Sequence, residues 1–111
     1  MWRTEQTEAL QVLADIYLDQ GQSERAVILL NALALLEPAK VSIFRALSYA
    51  LLLTGCHEDA LAATDTLLRL DAKMPENAPA LLIRSKALWA LGRLTEAQES
   101  LQRYLELGSH S

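Results

Sequence analysis

The sequence predicts an all-α protein, and the observations that predict it are its composition and an internal repeat marked by glycine. Leucine and alanine account for 41 of the 111 residues, whereas the chain has only 3 valines, 4 isoleucines and 6 threonines. Leucine and alanine favour helices, and the scarce β-branched residues favour strands. Because hydrophobic residues make up 51% of the chain and charged residues 22%, it can bury a core. We expect a single helical domain spanning 1–111.

The internal repeat is marked by three of the four glycines. Each of the three is followed five residues later by an alanine, and the glycines lie 34 and 37 residues apart. The pairs are Gly21 with Ala26, Gly55 with Ala60, and Gly92 with Ala97. A 34-residue frame with this glycine at position 15 predicts repeats over about 7–40, 41–74 and 78–111.

Each repeat predicts two helices joined by a tight turn. Frame positions 4, 7, 8 and 11 have the spacing of one face of a first helix, and positions 20, 24 and 27 that of a second. Small residues at position 8 (Ala14, Ser48, Ser85) and alanine at position 20 allow the two helices to approach closely. Glycine at position 15 permits the turn between them.

The first two hairpins are predicted with helices over about 4–19 and 23–36, and over about 40–53 and 57–70. Pro38 follows the second of these helices, which a proline cannot continue. Glu58 and Asp59 lie in the first turn of the fourth helix, where acidic side chains are favoured by the helix dipole.

The third hairpin is predicted with helices over about 78–91 and 94–107. The segment 72–79 before it contains two prolines and an asparagine, which predicts a longer loop. Frame position 7 is Leu13 and Leu47 in the first two repeats but Arg84 in the third, so we expect either that the third repeat bends or that this side chain reaches past the helix edge. Gly108 is expected to cap the last helix.

This pattern of large, small and glycine positions resembles the tetratricopeptide repeat. The resemblance implies three antiparallel helical hairpins stacked into a short right-handed superhelix. The first helix of each hairpin then lines the concave face.

Charge and cysteine content argue against several other classes of protein. The net charge is -4, so there is no basic surplus to neutralise the phosphates of a nucleic acid. The longest uncharged run, residues 46–57, has 12 residues, whereas roughly 20 are needed to cross a bilayer, so we expect no membrane insertion.

The chain offers one cluster of reactive side chains, and we interpret it as structural. Cys56 is the only cysteine, which excludes an internal disulfide and a zinc site built of several cysteines. It lies beside His57, Glu58 and Asp59 in one inter-helix turn, whereas a catalytic or metal site draws its groups from several elements. We therefore expect no enzyme, no metal and no cofactor.

The predicted binding site is a groove on the concave face. In the tetratricopeptide frame, positions 2, 5, 9 and 12 of each first helix point into this groove. Apolar side chains at these positions are not needed for the hairpin contacts, and two basic side chains lie beside them. The predicted groove residues are Leu18, Arg45, Tyr49, Leu52, Leu82, Lys86 and Trp89.

Two interpretations of this surface stay open. The groove binds a helical or extended segment of a partner protein, for which tyrosine and tryptophan are typical anchors. Alternatively, the hairpins close on one another and bury these side chains. The outer face of the last helix, with Leu94 and Leu101, is also expected to be covered in part by a partner, whereas Gln98 is expected on the convex side.

Two residues of this chain argue against one tetratricopeptide subtype. Repeats that bind the C-terminal carboxylate of heat-shock chaperones use a basic residue and an asparagine at positions 5 and 9 of the first repeat. Here these positions are Gln11 and Asp15, and an acidic side chain would repel the carboxylate.

Two segments give a narrower resemblance. Residues 21–33 and 101–107, the second containing Tyr104 and Leu105 before Glu106 and Leu107, resemble the small Y-type (YscY-like) chaperones of bacterial type III secretion systems. The resemblance covers about 7–107, and the near-immediate start of the first repeat after Met1 is similar as well.

This resemblance implies a cytoplasmic bacterial chaperone in a virulence-associated protein transport system. It would bind one small secreted partner, the X-type protein, and contact the cytosolic domain of the export gate. Alternatives are a chaperone for translocators or for the needle subunit, or a generic scaffold module. Because no polar capping helix follows the third repeat, we also expect marginal stability or self-association without a partner.

Overall fold

The computed structural model describes residues 4–70 and 78–109. In that part the chain forms six α-helices and no strand. They are α1 (Thr4–Asp19), α2 (Ser23–Leu36), α3 (Val41–Leu53), α4 (His57–Leu70), α5 (Ala78–Ala90) and α6 (Leu94–Ser109). The all-α prediction is confirmed, and each helix begins and ends within two residues of the predicted position.

The turn inside each hairpin is the same hydrogen-bonded structure repeated three times. In the first hairpin the N–H of Gly21 donates to the carbonyl of Leu18 at 3.1 Å, and the N–H of Gln22 donates to the carbonyl of Tyr17 at 2.7 Å. This pair of bonds is a Schellman motif, which requires a left-handed residue at its centre. The equivalent bonds recur around Gly55 and Gly92. The three glycines have φ values of 75°, 78° and 79°, so the predicted role of glycine in the turn is confirmed.

Small residues lie where the paired helices meet. Ala26 and Ala60 are fully buried and Ala97 is 5% exposed, as the frame predicts. In the third hairpin the hydroxyl of Ser85 on α5 donates to the carbonyl of Ala97 on α6 at 2.8 Å. A longer side chain at either position would push the helices apart.

The hairpins stack through the second helix of one repeat and the first helix of the next. α2 packs against α3, and α4 packs against α5. The core between them is apolar, with Leu30, Leu33 and Ile43 fully buried and Leu47 nearly so. Each repeat therefore buries its apolar face against its neighbour, as expected for a helical array.

Arg84 replaces the leucine of the first two repeats and reaches out to two neighbouring helices. Its Nε lies 2.9 Å from Oδ1 of Asp65 on α4, and its Nη1 lies 2.6 Å from the hydroxyl oxygen of Ser100 on α6. The side chain is 24% exposed, so the charge stays at the edge of the core. The predicted reach past the helix edge is confirmed.

Two predictions at the ends of α5 and α6 have different outcomes. The predicted loop over 72–79 lies mostly outside the described residues, but Ala78 and Pro79 form the start of α5, where proline is favoured because its missing N–H has no helical partner. The predicted cap at Gly108 is wrong, since α6 continues to Ser109. Glycine in a helix costs about 1 kcal/mol relative to alanine, which weakens a helix without ending it.

Candidate functional site

The predicted groove residues occupy three different settings. Leu18 and Leu52 are partly buried and pack against the hydrophobic core. They belong to the first two repeats, where a following hairpin lies beside them. Their side chains therefore contribute mainly to packing and offer only an edge to a ligand.

The second setting is a small cavity between the second and third repeats. It has a volume of about 220 Å³, and Arg45 and Tyr49 line it from α3. Pro79 and Ile83 line it from α5, so the first helices of two successive repeats face each other across it. Tyr49 is 47% exposed, which leaves its ring accessible at the mouth of the cavity.

The third setting is a larger apolar groove at the C-terminal end of the array, which we call the terminal groove. Its volume is about 480 Å³, and it lies between α5 and α6. Trp89 is 70% exposed and Leu94 is 55% exposed, so two large apolar side chains stand open to solvent here. The terminal groove is lined by Leu82, Lys86, Trp89, Leu94, Gln98 and Leu101, with Ser85 and Ala97 beneath.

The terminal groove and the small cavity are lined by equivalent frame positions of two successive repeats. Leu82 and Lys86 occupy frame positions 5 and 9, the positions of Arg45 and Tyr49 in the second repeat. In the second repeat these positions face α5. In the part of the chain that the structure describes, no helix faces them in the third repeat. Trp89 is therefore exposed because no other described helix packs over this surface.

The structure brings together residues that the sequence predicts on separate surfaces. The repeat frame predicts Trp89 in the concave groove, and Leu94 and Leu101 on an outer face of the last helix. The structure joins all three in the terminal groove. Gln98, expected on the convex side, lines the same groove. The available signal was frame position 24, because Leu101 there is equivalent to the buried Leu30 of the first repeat.

The charges near these surfaces are unevenly distributed. Residues 1–37 carry six acidic and two basic side chains, a net of -4, and α1 holds most of these acids. Glu8 and Asp15 are exposed on α1. At the other end of the array, Lys86 is exposed at the terminal groove. Gln11 is engaged within the array, since its Nε2 donates to the hydroxyl of Ser42 at 2.8 Å.

The turn that holds Cys56 and His57 has no surrounding cluster of ligands. Cys56 is exposed, and the Thr54 hydroxyl donates to its sulfur at 3.5 Å. Across residues 4–70 and 78–109, no group of three or more His, Cys, Asp or Glu side chains is placed to hold a metal ion. The same residues include no helix with both the length and the apolar character required to span a membrane.

Stacked helical hairpins with a shared turn and a shared packing frame define a helical-repeat protein. The sequence profile described as Tetratricopeptide repeat matches residues 12–75 and again residues 57–111. The chain therefore belongs to the tetratricopeptide repeat family. No curated protein sequence matches this chain.

Several solved structures have a similar fold. The type III secretion translocator chaperone SycD of Yersinia enterocolitica, in an alternative dimer, is 23% identical with a TM-score of 0.84 over 95% of this chain and 77% of its own. The second tetratricopeptide domain of Spaghetti (RPAP3), bound to the HSP90 peptide SRMEEVD, is 22% identical with a TM-score of 0.82 over 92% of each chain. The tetratricopeptide domain of Arabidopsis FLU is 18% identical with a TM-score of 0.81, covering 95% of this chain and 96% of its own.

Proposed function

We propose that this protein is a cytoplasmic bacterial chaperone of a type III secretion system. It binds an apolar segment of a small secreted partner of the X type and presents that partner to the cytosolic domain of the export gate. The observation that carries the proposal is the exposed Trp89 beside Leu94 in the terminal groove. A chaperone needs such a surface, because it must cover apolar residues of its partner until export.

The geometry favours a helix as the bound segment. Elsewhere in the array, the surface equivalent to the terminal groove contacts a helix of the next repeat, as α3 and α4 contact α5. A partner helix with apolar residues spaced three and four apart fits the same surface. Tyr49 offers a second accessible aromatic ring at the small cavity, and Arg45 and Lys86 favour acidic residues on the partner.

A chaperone for translocators is the second candidate. It is supported by the fold likeness to SycD, whose name assigns it to translocators, over nearly the whole of this chain. The Y-type assignment rests instead on the resemblance of residues 21–33 and 101–107. Identification of the bound protein separates these two candidates.

Binding of the C-terminal carboxylate of a heat-shock chaperone fits this chain poorly, although the similar Spaghetti domain is bound to an HSP90 peptide. At the two positions that hold the carboxylate in that subtype, Gln11 is already bonded to Ser42 and Asp15 is an exposed acid. A negative side chain at this point repels a carboxylate.

The test is co-purification from the native host, followed by mass spectrometry of the bound protein and binding measurements with that protein. We expect a small secreted type III protein to remain bound. Replacing Trp89 with alanine should weaken binding by about 2 kcal/mol, or roughly 30-fold, if it is a binding hot spot. Circular dichroism should remain unchanged, because the ring is 70% exposed.

The matched control is Ile28→Ala. Ile28 is 73% exposed on α2, the equivalent side chains Ala62 and Glu99 are exposed as well, and Ile28 lines neither the terminal groove nor the small cavity. If the double variant Tyr49→Ala/Trp89→Ala captures the partner as well as Ile28→Ala does, the proposed site is wrong. Recovery of a translocator instead would replace the X-type assignment.

A further inference from the structure

The N-terminal end of the array carries an exposed apolar face on α1. Val12 is 57% exposed, Leu13 is 37% exposed and Ile16 is 44% exposed. They occupy frame positions 6, 7 and 10. These three side chains define what we call the α1 face.

The equivalent positions in the other two repeats are buried or partly buried against the preceding repeat. On α3, Leu47 is 5% exposed and Ala50 is fully buried, and α3 packs against α2. On α5, Ala87 is fully buried, and Arg84 at position 7 contacts Asp65 of the preceding repeat. The α1 face is therefore equivalent to a surface that contacts the preceding repeat elsewhere in the array. Among the described residues, no repeat precedes α1.

The terminal groove is the other half of the same contact. Leu101 at frame position 24 is 38% exposed, whereas its equivalents Leu30 and Thr64 are fully buried. Between the second and third repeats, positions 5 and 9 of α3 meet positions 2 and 6 of α5 across one cavity. In the third repeat, positions 5 and 9 are Leu82 and Lys86, which lie open.

We propose that the terminal groove of one copy of this chain binds the α1 face of a second copy, in the way that α3 and α4 bind α5 within a copy. The occupant is thus α1 of another molecule, which continues the array head to tail. The contact repeats one that the chain already makes twice. It is heterologous, so it leaves a free α1 face and a free terminal groove at the two ends of any dimer and permits further addition.

The charges of the two surfaces are complementary. In the internal contact, position 9 of one repeat lies across a cavity from position 2 of the next, as Tyr49 does from Pro79. Between two copies, the same geometry sets Lys86 opposite Glu8. The acidic α1 therefore meets a basic side chain at the rim, which favours this register over groove against groove.

The first test is the molar mass of the purified chain across a concentration series, measured by sedimentation velocity or light scattering. The mass of the monomer is 12.3 kDa, and we expect the average mass to rise with concentration through dimers to larger species. A mass that stays at that of the monomer up to the solubility limit would overturn the proposal.

The decisive test mixes two variants that each lack one half of the contact. Val12→Glu/Ile16→Glu alters only the α1 face, and Leu94→Glu/Leu101→Glu alters only the terminal groove. Each variant alone should be monomeric, but an equimolar mixture should form a 1:1 dimer that does not grow further. Self-association of either variant alone, or a mixture that stays monomeric, contradicts head-to-tail binding.

Variants of the exposed charged residues test the same contact if the variants at apolar residues fold poorly. Glu8→Lys and Lys86→Glu should each weaken association, and the two changes in one chain should restore it. Ile28→Glu serves as the control, because that position is exposed in all three repeats. No rescue in the double variant would overturn the register. The self-association tests use the purified chain without a secreted partner, so their outcome does not depend on the proposed chaperone function. Only the α1 variants leave the terminal groove unaltered for such a partner.

Discussion

Gly55 shows how much of the hairpin depends on a single backbone conformation. Its φ of 78° lies in the left-handed region, and a Cβ added there would meet no other atom within 4 Å. A larger side chain at this residue therefore meets no steric clash. The cost of a substitution comes from the backbone, because residues that carry a Cβ disfavour the left-handed region.

We expect Gly55→Ala to lower the free energy of unfolding by about 1 kcal/mol, measured by urea denaturation. Gly55→Asn should cost less, because asparagine is enriched in the left-handed region. The comparison holds the turn and its surroundings constant. An alanine variant as stable as the parent, or an asparagine variant less stable than the alanine one, would contradict the assignment of the cost to φ.

The six helices were predictable because three repeats gave three independent copies of the same signal. A single glycine followed by alanine five residues later carries little weight in a chain rich in alanine, but the pairs at Gly21, Gly55 and Gly92 fix one frame. That frame predicted the burial of Ala26 and Ala60. At Gly108 the equivalent positions hold Glu37 and Asp71 instead of glycine, so the repeat does not support a glycine cap, and the prediction of one is wrong.

The candidate site was less predictable, because repeat positions describe an interior repeat. Positions 5 and 9 face the next repeat when one exists, as Arg45 and Tyr49 do, and open into a groove when none follows. A frame assigns both cases the same role. Trp89 and Leu101 line one groove because no described helix lies between them, and this follows from the packing of the helices and not from the repeat positions.

Arg84 links three helices at the junction of the second and third hairpins, and its two contacts should differ in strength. Ser100, whose hydroxyl accepts a hydrogen bond from Arg84, is only 2% exposed, whereas the side chain of Asp65 is half exposed. Hydrogen bonds that involve a charged group contribute about 1.5–3 kcal/mol, and exposed ion pairs about 0–1 kcal/mol.

A pair of double-mutant cycles measures this difference. We expect a coupling energy of about 1–2 kcal/mol between Arg84→Ala and Ser100→Ala, and a smaller coupling between Arg84→Ala and Asp65→Ala that falls further in high salt. A larger coupling to Asp65 than to Ser100 would show that the exposed ion pair dominates this junction.

The two end faces of the described array expose large apolar side chains, among them Ile16 and Trp89. The stability of the whole molecule should therefore depend on what covers these faces. A partner that binds the folded state raises the free energy of unfolding by about 2.7 kcal/mol at 100 times its dissociation constant.

We expect the melting temperature to rise when the secreted partner is added, and to rise less for Trp89→Ala at the same partner concentration. Thermal denaturation followed by circular dichroism measures both. Protein concentration must be held constant, because head-to-tail association would raise the melting temperature by the same principle. Equal melting temperatures with and without saturating partner would contradict the proposal that the partner covers an exposed apolar surface.

The shared turn also determines where this chain can tolerate insertions. Cys56 closes one helix and begins the next, since its N–H donates to the carbonyl of Leu51 and its carbonyl accepts from the N–H of Ala60. One inserted residue at this point would rotate α4 by about 100° around its own axis and turn Ala60 away from α3. Between the first two hairpins these roles belong to different residues, since the N–H of Glu37 donates to the carbonyl of Leu33 and the carbonyl of Lys40 accepts from the N–H of Ile43. The spacing of the glycines changes from 34 to 37 residues between the second and third hairpins. Gains and losses of sequence length should therefore accumulate between hairpins and be absent within them.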